Sequence, residues 1–236
     1  MITILIATRN AHKVEEIRAI LGSQVRCLSL NDFPGAPKVI EDADTFEGNA
    51  AKKAQTLAKW IHERIKTNIQ HSTFNAQSSS PDYVLADDSG LEVDALNGAP
   101  GVHSARFAAL DTGKPDNSPD ADNNAKLLQL LADVPAEKRA ARFRCVIALT
   151  PIPEATVESS SPVCYADDFE TQTFSGACPG KILSEYRGKG GFGYDPLFVP
   201  DGFAQTFAEL GEDIKNKISH RAKAMEKLKR WLEANQ

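Results

Sequence analysis

The chain opens on a run that is apolar but for Thr3, Ile2 to Ala7, rich in β-branched residues and brief. That pattern predicts a strand covered on both faces. The period then changes: Val14, Ile17, Ile20 and Leu21 recur at spacings of three and four, as on one face of a helix. A longer stripe follows in DTFEGNAAKKAQTLAKWIHERI, where Phe46, Ala50, Ala54, Leu57, Ile61 and Ile65 share a helical face. Asp44, with Glu47 three residues later, has the spacing of a capping box and sets the expected start of that helix. YVLA predicts a short strand, DDSG a turn, and LEVDAL the strand's continuation. RFRCVIALT alternates before becoming wholly apolar, another strand, and ETQTFSGACPGKIL suits an edge strand followed by a turn. Helices are expected around 125–132 and in SHRAKAMEKLKRWLEA. In the latter, Ala224, Met225, Leu228 and Leu232 keep helical spacing behind Ser219 as N-cap. A strand followed at once by a helix predicts an α/β fold. Neither an internal repeat nor a linker interrupts the chain, so one domain over 1–236 is expected.

Composition narrows the class. Of 236 residues, 42% are hydrophobic and 25% charged, the balance of a soluble globular protein with a sizeable core. The net charge of −5 argues against nucleic acid or an anionic membrane surface as the main partner. Cys27, Cys145, Cys164 and Cys178 lack CxxC spacing, so neither a zinc site nor a disulfide framework is expected. That favours a reducing, cytoplasmic setting. The N-terminal run has no basic lead-in, and no stretch reaches transmembrane length.

Four stretches lie at junctions between predicted elements, where α/β proteins tend to place ligand sites. Thr8-Arg9-Asn10-Ala11-His12-Lys13 joins the first strand to the first helix. A helix N-terminus offers N–H groups and a positive dipole end to phosphate, and Lys13 adds a charge; the same letters also describe a capped helix with a solvated lysine. The GxxxxGK[ST] pattern of a Walker A loop is absent. Asp87-Asp88-Ser89-Gly90 reads either as a solvated turn or as an acidic site. If alternation holds, only one Asp points into a cleft, where a carboxylate near phosphate calls for a hard cation such as Mg²⁺. Glu41, Asp42 and Glu47 are its candidate partners, with helix-dipole complementation the competing role for Glu47. In GKGGFGYDP, glycines allow close backbone approach, Phe192 and Tyr194 offer flat faces for a base, and Asp195 supplies an acceptor. The alternative is a turn whose aromatics anchor it in the core. Lys215, with His220 and Arg221 exposed at the head of the last helix, runs against the dipole preference for acids, which suggests an acceptor-rich ligand. Together these stretches describe a nucleotide polyphosphate site.

The same residues, in this order, resemble the inosine triphosphate pyrophosphatase family. The resemblance is carried by ATRNAHK, TFEGNAAKKA, LADDSGLEVDALNGAPGVHSARFA, GFGYDPLF and NKISHRAKAMEKL, and spans Thr8 to Arg221. It implies a long, bent mixed β-sheet flanked by helices, with two lobes and a cleft between them, in a homodimer. The implied reaction is Mg²⁺-dependent hydrolysis of ITP, dITP, XTP and dXTP to the monophosphate and pyrophosphate. By the same resemblance Asp88 is the acidic catalytic residue and a metal ligand. Thr8, Arg9, Asn10, Ala11, His12, Lys13, Ser89, Phe192, Gly193, Tyr194, Asp195, Lys215, His220 and Arg221 would bind substrate. In the mechanism read from the residues, Lys13, Thr8 and Asn10 stabilise the departing polyphosphate, with Lys53 or Lys215 as a further cation. The chain departs from the family at Ile40 and Gly48, where relatives often carry acids, which makes Glu41 the chosen second metal ligand. Segments near 65–82, 114–122 and 152–170 are longer than in compact relatives and suggest surface loops. Selectivity against ATP would follow from polarity: Arg221 or His220 donates to a purine O6 but meets another donor on adenine. The competing classes are a Maf-like nucleotide pyrophosphatase and a non-catalytic nucleotide sensor. SHR and GFGYDP count against the first and the acidic pair against the second. The DxDx[TV] nucleophile motif of haloacid-dehalogenase-type phosphatases is absent.

Overall fold

A computed structural model describes residues 1–70, 80–112, 116–153 and 170–235. Cys164 and much of the expected loops near 65–82 and 152–170 lie outside them. The chain is α/β, as expected, with a six-stranded mixed sheet in the order β2-β1-β3-β4-β5-β6. The strands are β1 (Ile2–Ile6), β2 (Val25–Ser29), β3 (Tyr83–Val93), β4 (Ala140–Pro151), β5 (Gln172–Ile182) and β6 (Phe198–Pro200). The helices are α1 (Ala11–Leu21), α2 (Phe46–Gln70), α3 (Asp120–Leu130), α4 (Phe207–Leu210), α5 (Glu212–Ile218) and α6 (His220–Ala234). Two compact units emerge: Met1–Asp87 with Ile147–Thr173, and Asp88–Val146 with Phe174–Gln236.

In the first unit β1 pairs in parallel with both β2 and β3. Ile4, Leu5 and Ile6 are buried, which is why the run carries no polar alternation. The helical faces follow the sequence pattern: Val14, Ile17 and Leu21 of α1, and Phe46, Ala50, Ala54, Leu57 and Ile61 of α2, are buried. Each buried Leu or Ile side chain contributes roughly 1.5–3 kcal/mol. The start of α2 differs from expectation. The helix begins at Phe46, and Thr45 Oγ1 accepts from the Gly48 N–H at 3.0 Å, so Thr45 and not Asp44 occupies the cap. Glu47, the expected reciprocal partner, instead accepts from Thr173 Oγ1. A threonine hydroxyl caps as an aspartate does, and the two adjacent residues are indistinguishable by type.

The second unit is built around Leu91, Val93, Phe107, Leu127, Leu131, Phe143, Leu197, Phe198 and Phe207. Phe143 meets Phe198 edge-to-face at 4.7 Å. Three expectations are corrected here. DDSG is not a turn, because β3 runs unbroken from Tyr83 to Val93 through it. Sheet partners override the turn preference of Asp, Ser and Gly. β5 is not an edge strand, since Gly180–Ile182 pairs antiparallel with the three-residue β6. The third helix begins at Asp120 rather than near 125, so residues 120–122, expected in a loop, form its first turn.

β5 alternates buried and exposed along its length, and Gly176 faces α6. A Cβ there would collide with the His220 carbonyl and lie 2.6 Å from the Ala224 nitrogen. Glycine is therefore what lets the head of α6 rest directly on the strand.

Candidate active site

The first unit carries the Thr8–Lys13 junction, Glu41, Asp42, Lys53 and Asp87. Thr8 follows β1, and its Oγ1 accepts from the Asn10 N–H at 3.1 Å. Asn10 caps α1, its Oδ1 accepting from the Lys13 N–H at 3.2 Å. The first turn of α1 holds no acid, so the positive helix end is not cancelled from within. Arg9, Asn10, Ala11 and His12 are exposed and Lys13 is half-buried. Arg9 donates to the Ala36 carbonyl at 3.2 Å. The Lys13 ammonium lies 2.5 Å from Asp87 Oδ1, a carboxylate that is itself buried. Lys53 pairs with Glu41 and reaches the Asp87 carbonyl at 3.5 Å. Asp42 pairs with Lys52, whose hydrogen bond holds the Asp42 carboxyl below its ordinary range.

The second unit carries Asp88, Ser89, the GFGYDP segment, Lys215, His220 and Arg221. Asp88 follows Asp87 along β3 and is also buried. Strand alternation sends the two side chains to opposite faces, as expected from the sequence. Ser89 Oγ receives an Arg221 N–H at 3.4 Å. Arg221 and His220 are not exposed: they are 1% and 4% exposed, in the first turn of α6 behind Ser219, whose Oγ accepts from the Ala222 N–H at 3.1 Å. The His220 ring stacks on Phe143, centroids 4.8 Å apart. A full charge held at a helix N-terminus and out of water is a costly arrangement.

The GFGYDP segment organises itself around Asp195. Its Oδ2 accepts from the Phe192 N–H at 2.9 Å and from the Lys215 ammonium at 2.6 Å. Gly191, at φ +75°, is required there, because a Cβ would collide with that carboxylate. Lys215 lies over the Phe192 ring, 4.1 Å from its centroid, and Arg221 lies 5.9 Å from the same centroid. Both distances are within cation–π range. Tyr194 differs from Phe192. It is buried, and its hydroxyl donates to the Ser104 carbonyl at 2.9 Å, so its ring is a core anchor and not a face for a base. Ser104 in turn accepts from the Leu91 N–H of β3 at 2.9 Å, a link from strand to loop that the sequence did not reveal.

Burial pushes the Tyr194 phenol up, aided by Asp120. A raised folded-state pKa means the contribution to stability is complete below the unfolded value of about 10 and is lost as pH rises beyond it. Thermal melts between pH 8 and 11 should therefore show a fall in Tm above about pH 10 that is shallower in Tyr194→Phe. Equal slopes would remove Tyr194 as the cause.

Thiolate chemistry is not favoured at Cys27 or Cys178. Burial pushes Cys178 up to about 11 and raises Cys27. Among the described residues no three His, Cys, Asp or Glu group to hold an ion unaided. Mg²⁺ needs only one or two carboxylates when phosphates and waters complete its shell. Asp88 is a buried carboxylate of that kind on β3, and Glu41 and Asp42 are each paired with a lysine. No described helix is long and apolar enough to cross a membrane.

The model of the Ham1 family matches residues 4–231. A dITP/XTP pyrophosphatase of Desulforamulus reducens is 45% identical over 227 residues, covering 95% of this chain and 92% of that protein. One of Geobacter sulfurreducens is 45% identical over 230 residues, covering 97% and 96%. Among solved structures, the Ham1 protein of Staphylococcus aureus superposes with a TM-score of 0.74 at 32% identity, covering 99% of this chain and 100% of that one. A nucleoside-triphosphatase (dITP/XTP pyrophosphatase) of Mycobacterium abscessus superposes with a TM-score of 0.63 at 36% identity, covering 96% and 98%.

Proposed function

Since the chain belongs to the Ham1 family, we propose that it hydrolyses non-canonical purine nucleoside triphosphates (ITP, dITP, XTP and dXTP) to the monophosphate and pyrophosphate. The observation that carries this is 45% identity, over nearly the whole of both chains, to dITP/XTP pyrophosphatases. It acts as one catalytic domain over 1–236, as a cytoplasmic homodimer.

The geometry of each unit supports a division of labour. The capped, acid-free start of α1 and the Lys13 ammonium receive the polyphosphate. Asp87 holds Lys13 in place, so the charge is preorganised rather than recruited. Lys53 adds a second cation, and Thr8 and Asn10 shape the turn that presents these donors. Phe192 offers the ring on which the purine stacks, while Arg221 and His220 donate to O6. An adenine amino group would leave those donors facing another donor, at about 1–3 kcal/mol for a buried mismatch. Ser89 steadies Arg221. Asp88 accepts the proton of the attacking water or holds the divalent cation. When bound there with substrate phosphates, Mg²⁺ would neutralise charge and lower the pKa of water.

The test is a panel of nucleoside triphosphates with Mg²⁺, scored separately for pyrophosphate and orthophosphate. Pyrophosphate from ITP and XTP with little from ATP is expected. Orthophosphate as the first product would overturn the reaction, a preference for pyrimidines would favour a Maf-like enzyme, and tight binding without turnover would favour a sensor.

A further inference from the structure

Outside the residues assigned so far, α3 carries two polar side chains one turn apart, and both engage the GFGYDP segment. Asp120 Oδ2 accepts from the Gly193 N–H at 2.6 Å. Asn124 Nδ2 donates to the Gly193 carbonyl at 2.8 Å. Residues at i and i+4 share a helix face, so one short stretch of α3 grips the backbone of Gly193 from both sides.

Asn124 is 2% exposed, and its Oδ1 is buried with no hydrogen-bond partner. A buried acceptor left unpaired is costly, and a leucine of similar size would avoid that cost on a helix whose neighbouring Leu127 is core. What the amide gains is a donor aimed at Gly193. A flipped amide would set its oxygen against that carbonyl, acceptor to acceptor, so its orientation is fixed.

Gly193 stands immediately after Phe192 and before Tyr194. Tyr194 is pinned through Ser104, and the Phe192 N–H is pinned by Asp195. The grip from α3 fixes the peptide between those two anchors. We propose that Asp120 and Asn124 are positioning residues, which set the Phe192 ring for the purine by holding Gly193. Neither touches the substrate. The proposal rests on the base-stacking role given to Phe192 above.

Asn124→Leu and Asp120→Ala are to be compared with wild type by steady-state kinetics on ITP, thermal melting and amide hydrogen exchange. Both should raise KM about tenfold while kcat stays within about twofold, the signature of a misplaced contact outside the chemical step. Peptides covering 191–195 should exchange faster, and Asn124→Leu should melt no lower than wild type. Asp120→Asn, which keeps an acceptor oxygen, should restore most of the affinity lost in Asp120→Ala. An unchanged KM in both variants, or a KM rise that tracks a lowered Tm, would overturn the positioning role. The two failures are separable: absence of ITP turnover in the wild-type protein overturns the assigned function. Normal wild-type turnover with unaltered exchange at 191–195 in both variants overturns the clamp alone.

Discussion

Asp88→Asn is expected to lower pyrophosphate release from ITP by about a thousandfold or more, while nucleotide affinity stays within a few-fold. The substitution keeps size and burial but removes both the proton acceptor and the anionic ligand. Asp87→Asn is the informative neighbour. Asp87 is also buried, but its carboxylate is committed to Lys13 at 2.5 Å, so its loss should weaken phosphate binding and raise KM first. Two adjacent acids of equal type would thus separate into a kcat effect and a KM effect. Calorimetric binding of ITP to Asp88→Asn, alongside the turnover assay, makes the distinction. Near-normal pyrophosphate release by Asp88→Asn would remove this residue from catalysis.

Asp195→Ala is expected to be the most destabilising single change near the site. Its partner Lys215 is 5% exposed and Asp195 itself 2%, so truncation strands an ammonium out of water and also leaves the Phe192 N–H without its acceptor. Removing one member of a buried pair costs about 3–5 kcal/mol. For a chain of this size that lowers Tm by roughly 6–20 °C. The double variant Asp195→Leu/Lys215→Met should recover much of the Tm, because the stranded charge is gone with its partner. It should not recover affinity for ITP, since the cation over Phe192 is lost as well. A single variant that melts like wild type would show that Lys215 reaches solvent when Asp195 is absent.

The elements with strong periodicity were legible from the letters. β1, α1 and the apolar face of α2 follow the pattern, and Ser219 caps α6 as its position ahead of His220-Arg221 suggested. The family resemblance read from ATRNAHK, GFGYDP and SHR agrees with the Ham1 match over residues 4–231. What failed were distinctions that only three-dimensional neighbours make. DDSG has turn-forming letters, yet it continues a strand held in the sheet beside β1. Phe192 and Tyr194 are both aromatic, yet Tyr194 is buried with its hydroxyl on the Ser104 carbonyl while Phe192 is only half-buried. His220 and Arg221 resemble solvated charges at a helix start, but the absence of a side chain at Gly176 brings that helix onto β5 and takes them out of water. Asp120 and Asn124 were missed because the preceding stretch is rich in Pro, Asn and Asp. The available signal was the pair Asn123-Asn124 placed ahead of Leu127, where helical spacing predicts a buried position.

The seating of α6 on β5 also decides how this protein could be re-engineered. With the His220 carbonyl against Gly176, the helix head has no room to slide, so a new base preference cannot come from shifting the backbone that bears Arg221. Laboratory evolution toward other nucleobases should then accumulate changes in side-chain identity at 192, 220 and 221 and leave 176 untouched.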